Sequence, residues 1–156
     1  MAGRIDQRLS ELAITIPEPA VPVANYVGFV RAGNLVFVSG QVPLEGGEFK
    51  YFGKVGAELG IEEGQAAARL CGINILAHLK AACDGDLDRV RRCVKLTGFV
   101  NSTPDFKDQP KVINGVSDLM VEVFGDAGRH ARAAISAGAL PLGVGVEVEA
   151  VFEIAG

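Results

Sequence analysis

The stretch RAAISAGALPLGVGVEVEAVFEI, from Arg132 to Ile154, decides the fold of this chain because its second half carries a clear strand pattern. From residue 144 onward, apolar residues occupy every second position: Val144, Val146, Val148, Ala150, Phe152 and Ile154. Side chains of a strand alternate between its two faces, so this pattern predicts a half-buried strand over residues 144–154. The opposite face of this strand carries carboxylates, Glu147 and Glu149 among them.

A second strand is predicted over Ala131–Ser136, ahead of a loop marked by proline and glycine at residues 138–143. One face of this strand carries His130, Arg132, Ala134 and Ser136. The planar guanidinium of Arg132 can grip a carboxylate through two parallel hydrogen bonds, which favours a pocket for a small carboxylate. The alternative is a structural ion pair between Arg132 and Glu147 or Glu149, and the residues alone leave both interpretations open.

Two long helices are predicted upstream. Residues Ile61–Ala82 have acidic side chains in the first turn, where carboxylates oppose the helix dipole, and a wide apolar face suited to a sheet. Residues Lys111–Phe124 form the second helix, which Gly125 and Gly128 end. A short helix over Ile5–Ala13 begins an N-terminal extension, residues 1–24, whose remainder is proline-rich and therefore extended.

The other predicted strands come before and between these two long helices in the sequence. Residues Tyr26–Val30 and Leu35–Ser39 flank a Gly-Asn turn and predict a β-hairpin. A third short strand is predicted over Phe49–Val55, and Arg91–Asn101 has the length and composition of a central strand.

This order of elements predicts a single α+β domain over residues 1–156, with two main helices packed on one face of a mixed sheet. The uncovered face would be too apolar to remain fully in water. We therefore expect the chain to associate with copies of itself through that face.

Composition excludes several classes of function. The chain has 156 residues, a net charge of −4 and no basic run, so we expect no nucleic-acid partner. No apolar leader or span is apparent, which predicts a cytoplasmic protein with no membrane contact. The three scattered cysteines are interpreted as free core thiols. His78 and His130 lack partners at metal spacing, and no phosphate-binding glycine motif occurs, so we expect no metal and no cofactor.

Two motifs resemble a known family. The stretch SGQVP at Ser39–Pro43, and an arginine followed by LPLGVGVEVEA at residues 140–150, are similar to the reactive intermediate deaminase (Rid, YjgF-type) superfamily, formerly named endoribonuclease L-PSP. The resemblance covers Tyr26 to Phe152. It implies a chorismate-mutase-like fold of the bacillus type, assembled as a homotrimer. It also implies hydrolysis of 2-enamine and 2-imine carboxylates, such as 2-aminoacrylate, to 2-keto acids and ammonia.

The same resemblance assigns roles to individual residues. It implies that Arg132 holds the substrate carboxylate and that Glu147 positions the attacking water. The strand-end Gly40, after Ser39, would face the ligand with its backbone. The remaining substrate-binding positions fall on Tyr26 and Asn114.

Other residues carry plainer expectations. A histidine beside Arg132 would add positive charge for an anion. His130 is nevertheless better interpreted as an ordinary residue at the start of a strand, and His78 as a structural or exposed residue. Many family members have a cysteine where this chain has Ala134. That departure keeps open a non-catalytic module that only binds small carboxylates. A ribonuclease is a third alternative, which the acidic charge disfavours.

Overall fold

Five strands form one mixed sheet in the computed structural model, which describes residues 2–156, and their spatial order is β1-β2-β7-β5-β6. Their bounds are β1 Phe29–Ala32, β2 Leu35–Gln41, β5 Val90–Asn101, β6 Ala131–Ala137 and β7 Val146–Ile154. Every pairing is antiparallel except that of β5 with β6. The α+β class and the mixed sheet predicted from the sequence are confirmed.

The C-terminal strand lies at the centre of this sheet, as its alternation requires. Its apolar residues are buried against the helices, whereas Glu147 and Glu149 point to the other face. The strand begins at Val146, two residues later than predicted. Val144 instead pairs through an isolated bridge with Phe52, just after the turn Pro141–Gly143.

Two helices cover one face of the sheet. Helix α2 spans Ile61–Ala82, as predicted, and Glu63 accepts a hydrogen bond from the Gly60 amide at its start. Helix α3 spans Gln109–Phe124, two residues longer than predicted because Pro110 fits its first turn. The helices pack closely at Gly115, where a β-carbon would collide with the backbone carbonyl of Gln65.

The N-terminal hairpin forms, but its first strand starts at Phe29 and not at Tyr26. The turn uses Gly33 with φ +61°, as a hairpin turn requires. The second strand contains a bulge: Val38 pairs with Ala150 and Gln41 pairs with Val148, which leaves one extra residue on β2. Gly40 lies in this bulge.

The predicted strand over Phe49–Val55 is wrong. The chain forms a separate two-residue hairpin there, β3 Leu44–Glu45 and β4 Glu48–Phe49. Beyond it, positive φ values at Tyr51 (+59°) and Gly53 (+110°) turn the backbone, so a continuous strand cannot form.

The predicted N-terminal helix is present as α1, Arg4–Glu11. The carboxylate of Asp88 holds its first turn by accepting hydrogen bonds from the amides of Arg4 (2.9 Å) and Ile5 (2.8 Å). These bonds lower the pKa of Asp88, the bond from Ile5 most. The helix is thereby fixed to the turn before β5.

The face of the sheet away from the helices remains uncovered within this chain. Large apolar side chains stay exposed on it: Val30, Leu35, Phe37 and Ile135. The opposite face and the helices enclose the core, in which all three cysteines lie buried and free. None of the helices in residues 2–156 combines the length and the apolar character that a membrane span requires.

Candidate functional site

A cavity of about 410 Å³ lies where the bulge of β2 meets the start of β7. It brings together four of the six predicted site residues: Tyr26, Ser39, Gly40 and Glu147. The extended N-terminal segment lines it at residues 20–23, and the loop before β7 lines it at Pro141 and Leu142. The predicted site is therefore assembled by elements that are distant in sequence.

Gly40 and Glu147 are in direct contact in this cavity. A β-carbon at position 40 would collide with Oε2 of Glu147. Glycine leaves the carboxyl group in this position, whereas a larger residue would displace it, and the bulge of β2 brings the backbone of Gly40 towards it. The sequence motif that contains Gly40 thus determines where the Glu147 carboxyl group lies.

The environment of Glu147 raises the pKa of its carboxyl group. Burial is the main cause, and the charge of Glu149 on the same face adds to it. A carboxyl group that keeps its proton more readily than usual is suited to exchanging protons with a nearby water. The neighbouring Cys71 thiol has a raised pKa because of its burial and the charge of Glu147, so it stays protonated.

The other two predicted residues meet on a different part of the molecule. Arg132, exposed on edge strand β6, donates from Nη1 to Asn114 Oδ1 (2.7 Å) and to Ser117 Oγ (3.1 Å). Both acceptors belong to α3 and are neutral. The guanidinium is therefore oriented by the helix while its charge stays unpaired by any carboxylate of residues 2–156.

His130 contacts Ser117 and so helps to fix this arrangement. Its Nδ1 lies 2.6 Å from the Gly128 carbonyl, and its Nε2 lies 2.8 Å from Ser117 Oγ. A carbonyl only accepts, so Nδ1 carries the proton of this bond, and in that tautomer Nε2 accepts the hydrogen bond that the Ser117 hydroxyl donates. Ser117 is left free to accept from Arg132. Sequence reasoning did not single out Ser117, which lies on α3 thirteen residues before His130.

The two groups do not meet within one chain. Arg132 pairs in register with the buried Leu96 and faces α3, whereas Glu147 pairs with Phe99 on the uncovered face. The ion pair of Arg132 with Glu147 or Glu149, one of the alternatives that the sequence left open, is therefore wrong within one chain.

His78 is a cavity residue that the sequence analysis assigned only a structural or exposed place. It lies on α2, is 5% exposed and lines the same cavity as Glu147. Burial lowers the pKa of its imidazole. A usable signal was present: His78 and Asn74 are one turn apart on an otherwise apolar face of α2.

Within residues 2–156, no group of three or more histidine, cysteine or carboxylate side chains is placed to hold a metal ion. The chemistry available in the cavity is that of a carboxyl group, a phenol, an imidazole and backbone groups. The chemistry available at β6 is that of an oriented cation.

Comparison with known proteins places these features in a family. The family model described as "YjgF/chorismate_mutase-like, putative endoribonuclease" matches residues 6–153. The match includes both motifs and all six predicted site residues.

Individual relatives are similar over nearly their whole length. Protein TCP17 of Trypanosoma cruzi is 47% identical over 154 residues, which is 98% of this chain and 96% of the relative. The structure of Atu1372, a protein of unknown function from Agrobacterium tumefaciens, is 49% identical with a TM-score of 0.91, and covers 96% of this chain and 92% of its own. A "putative endoribonuclease" from Shewanella oneidensis is 35% identical with a TM-score of 0.93, covering 97% and 100%.

Proposed function

This chain belongs to the YjgF family, the reactive intermediate deaminase superfamily, and we propose from that premise that it hydrolyses 2-enamine and 2-imine carboxylates to 2-keto acids and ammonia. The observation that carries the proposal is the presence of two complementary half-sites. One is a cation held ready for a carboxylate, and the other is a cavity with a carboxyl group whose pKa is raised.

The complete site forms between copies of the chain in a homotrimer. The cavity around Glu147 is lined by no lysine or arginine of residues 2–156, so a bound carboxylate needs a cation from elsewhere. Arg132 sits exposed on an edge strand with no carboxylate partner among those residues. Association of copies through the uncovered apolar face, which includes Phe37 and Ile135, and along the exposed edge strand β6, would bring these half-sites of neighbouring copies together.

In this site, Arg132 binds the substrate carboxylate through two parallel hydrogen bonds. Asn114 and Ser117 keep the guanidinium oriented towards it. The imine carbon then lies near the backbone of Gly40, beside the carboxyl group of Glu147. Fixing both ends of a small molecule in this way supplies most of the effect, because the reaction already proceeds slowly in water.

The chemical step adds water across the C=N bond. An enamine first takes a proton on C3 and loses one from nitrogen, which gives the imine. Glu147 accepts a proton from the water as the oxygen bonds to C2, and the electrons of the C=N bond take up a proton on nitrogen. The resulting carbinolamine gives its hydroxyl proton to Glu147 and takes a proton from it on nitrogen, so that the C=O bond forms and ammonia leaves as the C–N bond breaks. Proton uptake and release balance at Glu147.

A module that binds small carboxylates without chemistry is the second candidate, favoured by Ala134 in place of the cysteine that many family members have. Both candidates use the same half-sites. They differ only in whether bound imine turns over faster than free imine.

The deciding experiment measures ammonia release from 2-aminoacrylate generated in place by a pyridoxal-phosphate enzyme acting on serine. We expect the parent protein to accelerate release and Glu147→Gln to return it to the background rate. Glu153→Gln is the matched control, because this residue lies on the same strand and face, away from the cavity. Binding of 2-ketobutyrate without any acceleration would leave the binding module as the function.

A further inference from the structure

His78 occupies an unusual place in the cavity. The residue is almost fully buried, at 5% exposed, and its imidazole lies against the α-carbon of Gly28. A β-carbon at position 28 would collide with Cε1 and Nδ1 of the ring, so the edge that carries the nitrogens faces the start of β1. The same ring lines the cavity that contains Glu147.

The ring nitrogens of His78 have no hydrogen-bond partner within residues 2–156, whereas His130 uses both of its nitrogens. Every side-chain nitrogen or oxygen atom of the described chain that is shielded from solvent has a hydrogen-bond partner. Because the nitrogens of His78 have none, they must reach the open space of the cavity.

Three other polar side chains at or beside the cavity already have partners. The Ser39 hydroxyl donates to the Val27 carbonyl (2.6 Å), and Gln41 Nε2 donates to the Ser39 carbonyl (3.0 Å). Asn74, one turn before His78, donates from Nδ2 to the carbonyls of Val42 (3.0 Å) and Leu44 (2.9 Å). His78 is thus the buried side chain of the cavity whose donor and acceptor both remain available to a ligand.

We propose that His78 is a specificity-determining residue, which hydrogen-bonds an uncharged polar group on the side chain of the substrate. The preferred substrates are then 2-imino acids whose side chain carries a hydroxyl or a carboxamide. This inference rests on the proposed function. The inference adds to that function a contact with the part of the substrate that Arg132 and Glu147 do not touch.

The chemistry of the cavity selects a neutral group. Because burial lowers the pKa of His78, its ring is neutral near pH 7 and offers one donor and one acceptor, which matches a hydroxyl or an amide. A second carboxylate on the substrate would lie in a cavity that contains Glu147 and, among its described lining residues, no lysine or arginine. An aliphatic side chain would leave the imidazole unpaired.

The test compares two stable keto acids, 2-ketobutyrate and 4-hydroxy-2-ketobutyrate, which differ only in the terminal hydroxyl. Calorimetric titration of the parent should show tighter binding of the hydroxylated ligand by roughly tenfold, the effect of one well-made hydrogen bond in a buried site. His78→Leu should abolish the preference, so that the two ligands bind this variant with affinities within about twofold of each other. His78→Gln, which keeps a donor and an acceptor, should retain part of it. A parent without preference, or a preference that survives His78→Leu, overturns the inference.

A second measurement uses the parent alone and so does not depend on the folding of a variant. The chain has only two histidines, which makes the ring nitrogen resonances easy to assign. The hydroxylated ligand should shift the His78 ring signals well beyond the shift that 2-ketobutyrate produces. Equal shifts would contradict the proposal. Unaffected 2-ketobutyrate binding in that case would leave the carboxylate site standing, whereas failure of both ligands to bind the parent would remove both proposals.

Discussion

Arg132 and Glu147 lie on opposite faces of one β-sheet, with strand β5 between the strands that carry them. Arg132 is in register with Leu96, which faces the helices, and Glu147 is in register with Phe99, which faces away from them. No small molecule can touch both side chains of a single chain in this arrangement. The proposed chemistry therefore needs residues from two copies.

The first prediction concerns the grip of Arg132. Arg132→Lys keeps the charge but loses the planar fork, so 2-ketobutyrate binding should weaken by roughly 1–3 kcal/mol, the scale of a charged hydrogen bond. Thermal stability should change little, because the arginine is exposed and bonds only to Asn114 and Ser117. Calorimetry and a melting curve on the same preparation measure both quantities. Arg129→Lys, an exposed neighbour, is the control. Unchanged affinity together with a lower Tm would make Arg132 purely structural.

A second prediction tests the contact between Gly40 and Glu147. Gly40→Ala should displace the Glu147 carboxyl group, because the new β-carbon would occupy the place of its Oε2 atom. Ammonia release should fall strongly while the Tm stays close to that of the parent, since the end of a flexible side chain can move aside. Gly138→Ala, which meets open space, is the control. Full activity in Gly40→Ala would show that the position of Glu147 does not matter.

The raised pKa of Glu147 gives a third prediction, on stability against pH. Between pH 4.5, the ordinary value for this carboxyl group, and its raised value in the fold, the folded chain binds the proton more tightly than the unfolded chain. The stability of the parent must therefore fall as the pH rises through that window. Glu147→Gln cannot titrate, so its Tm relative to the parent should increase across the window and level off above it. A difference in Tm that is the same at every pH would show that the carboxyl group titrates normally.

Much of the fold was accessible from the sequence because strand and helix periods are local. The alternation from Val144 to Ile154 indicated the buried face of β7, and the pattern from Ile61 to Ala82 predicted α2 residue for residue. The strand predicted over Phe49–Val55 does not form because Tyr51 adopts a positive φ, which its residue type does not indicate.

The site was accessible only in part. Residue motifs singled out Gly40, Glu147 and Arg132 as candidates, and periodicity placed each on a face of its own strand. Periodicity does not give the order of strands in a sheet, so it could not show that the cavity and Arg132 are separated by β5. His78 was missed because an apolar helix face usually buries a histidine among packed neighbours, and only the cavity reveals that its nitrogens are open.

A fourth prediction concerns the N-terminal helix. Asp88→Ala removes the acceptor for the amides of Arg4 and Ile5, and should destabilise the fold by about 1 kcal/mol, as loss of a helix cap does. The pKa of Asp88 is lowered in the fold, so its contribution is present above the ordinary value of 3.8 and disappears as the pH falls through the lowered value. The Tm difference between parent and variant should thus shrink in acid. Asp126→Ala, at a fully exposed side chain, is the control. A variant as stable as the parent at pH 7 would contradict the capping role.

Subunit complementation tests the central claim most directly, because it asks whether Arg132 and Glu147 of different chains act on one substrate. Arg132→Ala and Glu147→Gln are each expected to be inactive in ammonia release from 2-aminoacrylate. The two variants are then unfolded together, refolded as an equal mixture and assayed at the same total concentration. An interface is intact when the Glu147→Gln chain supplies Arg132 and the Arg132→Ala chain supplies Glu147. Random assembly of a ring makes roughly a quarter of all interfaces intact. We predict recovery of about that fraction of the parent activity. A mixture as inactive as its components, from variants that refold and assemble as the parent does, would contradict the shared site.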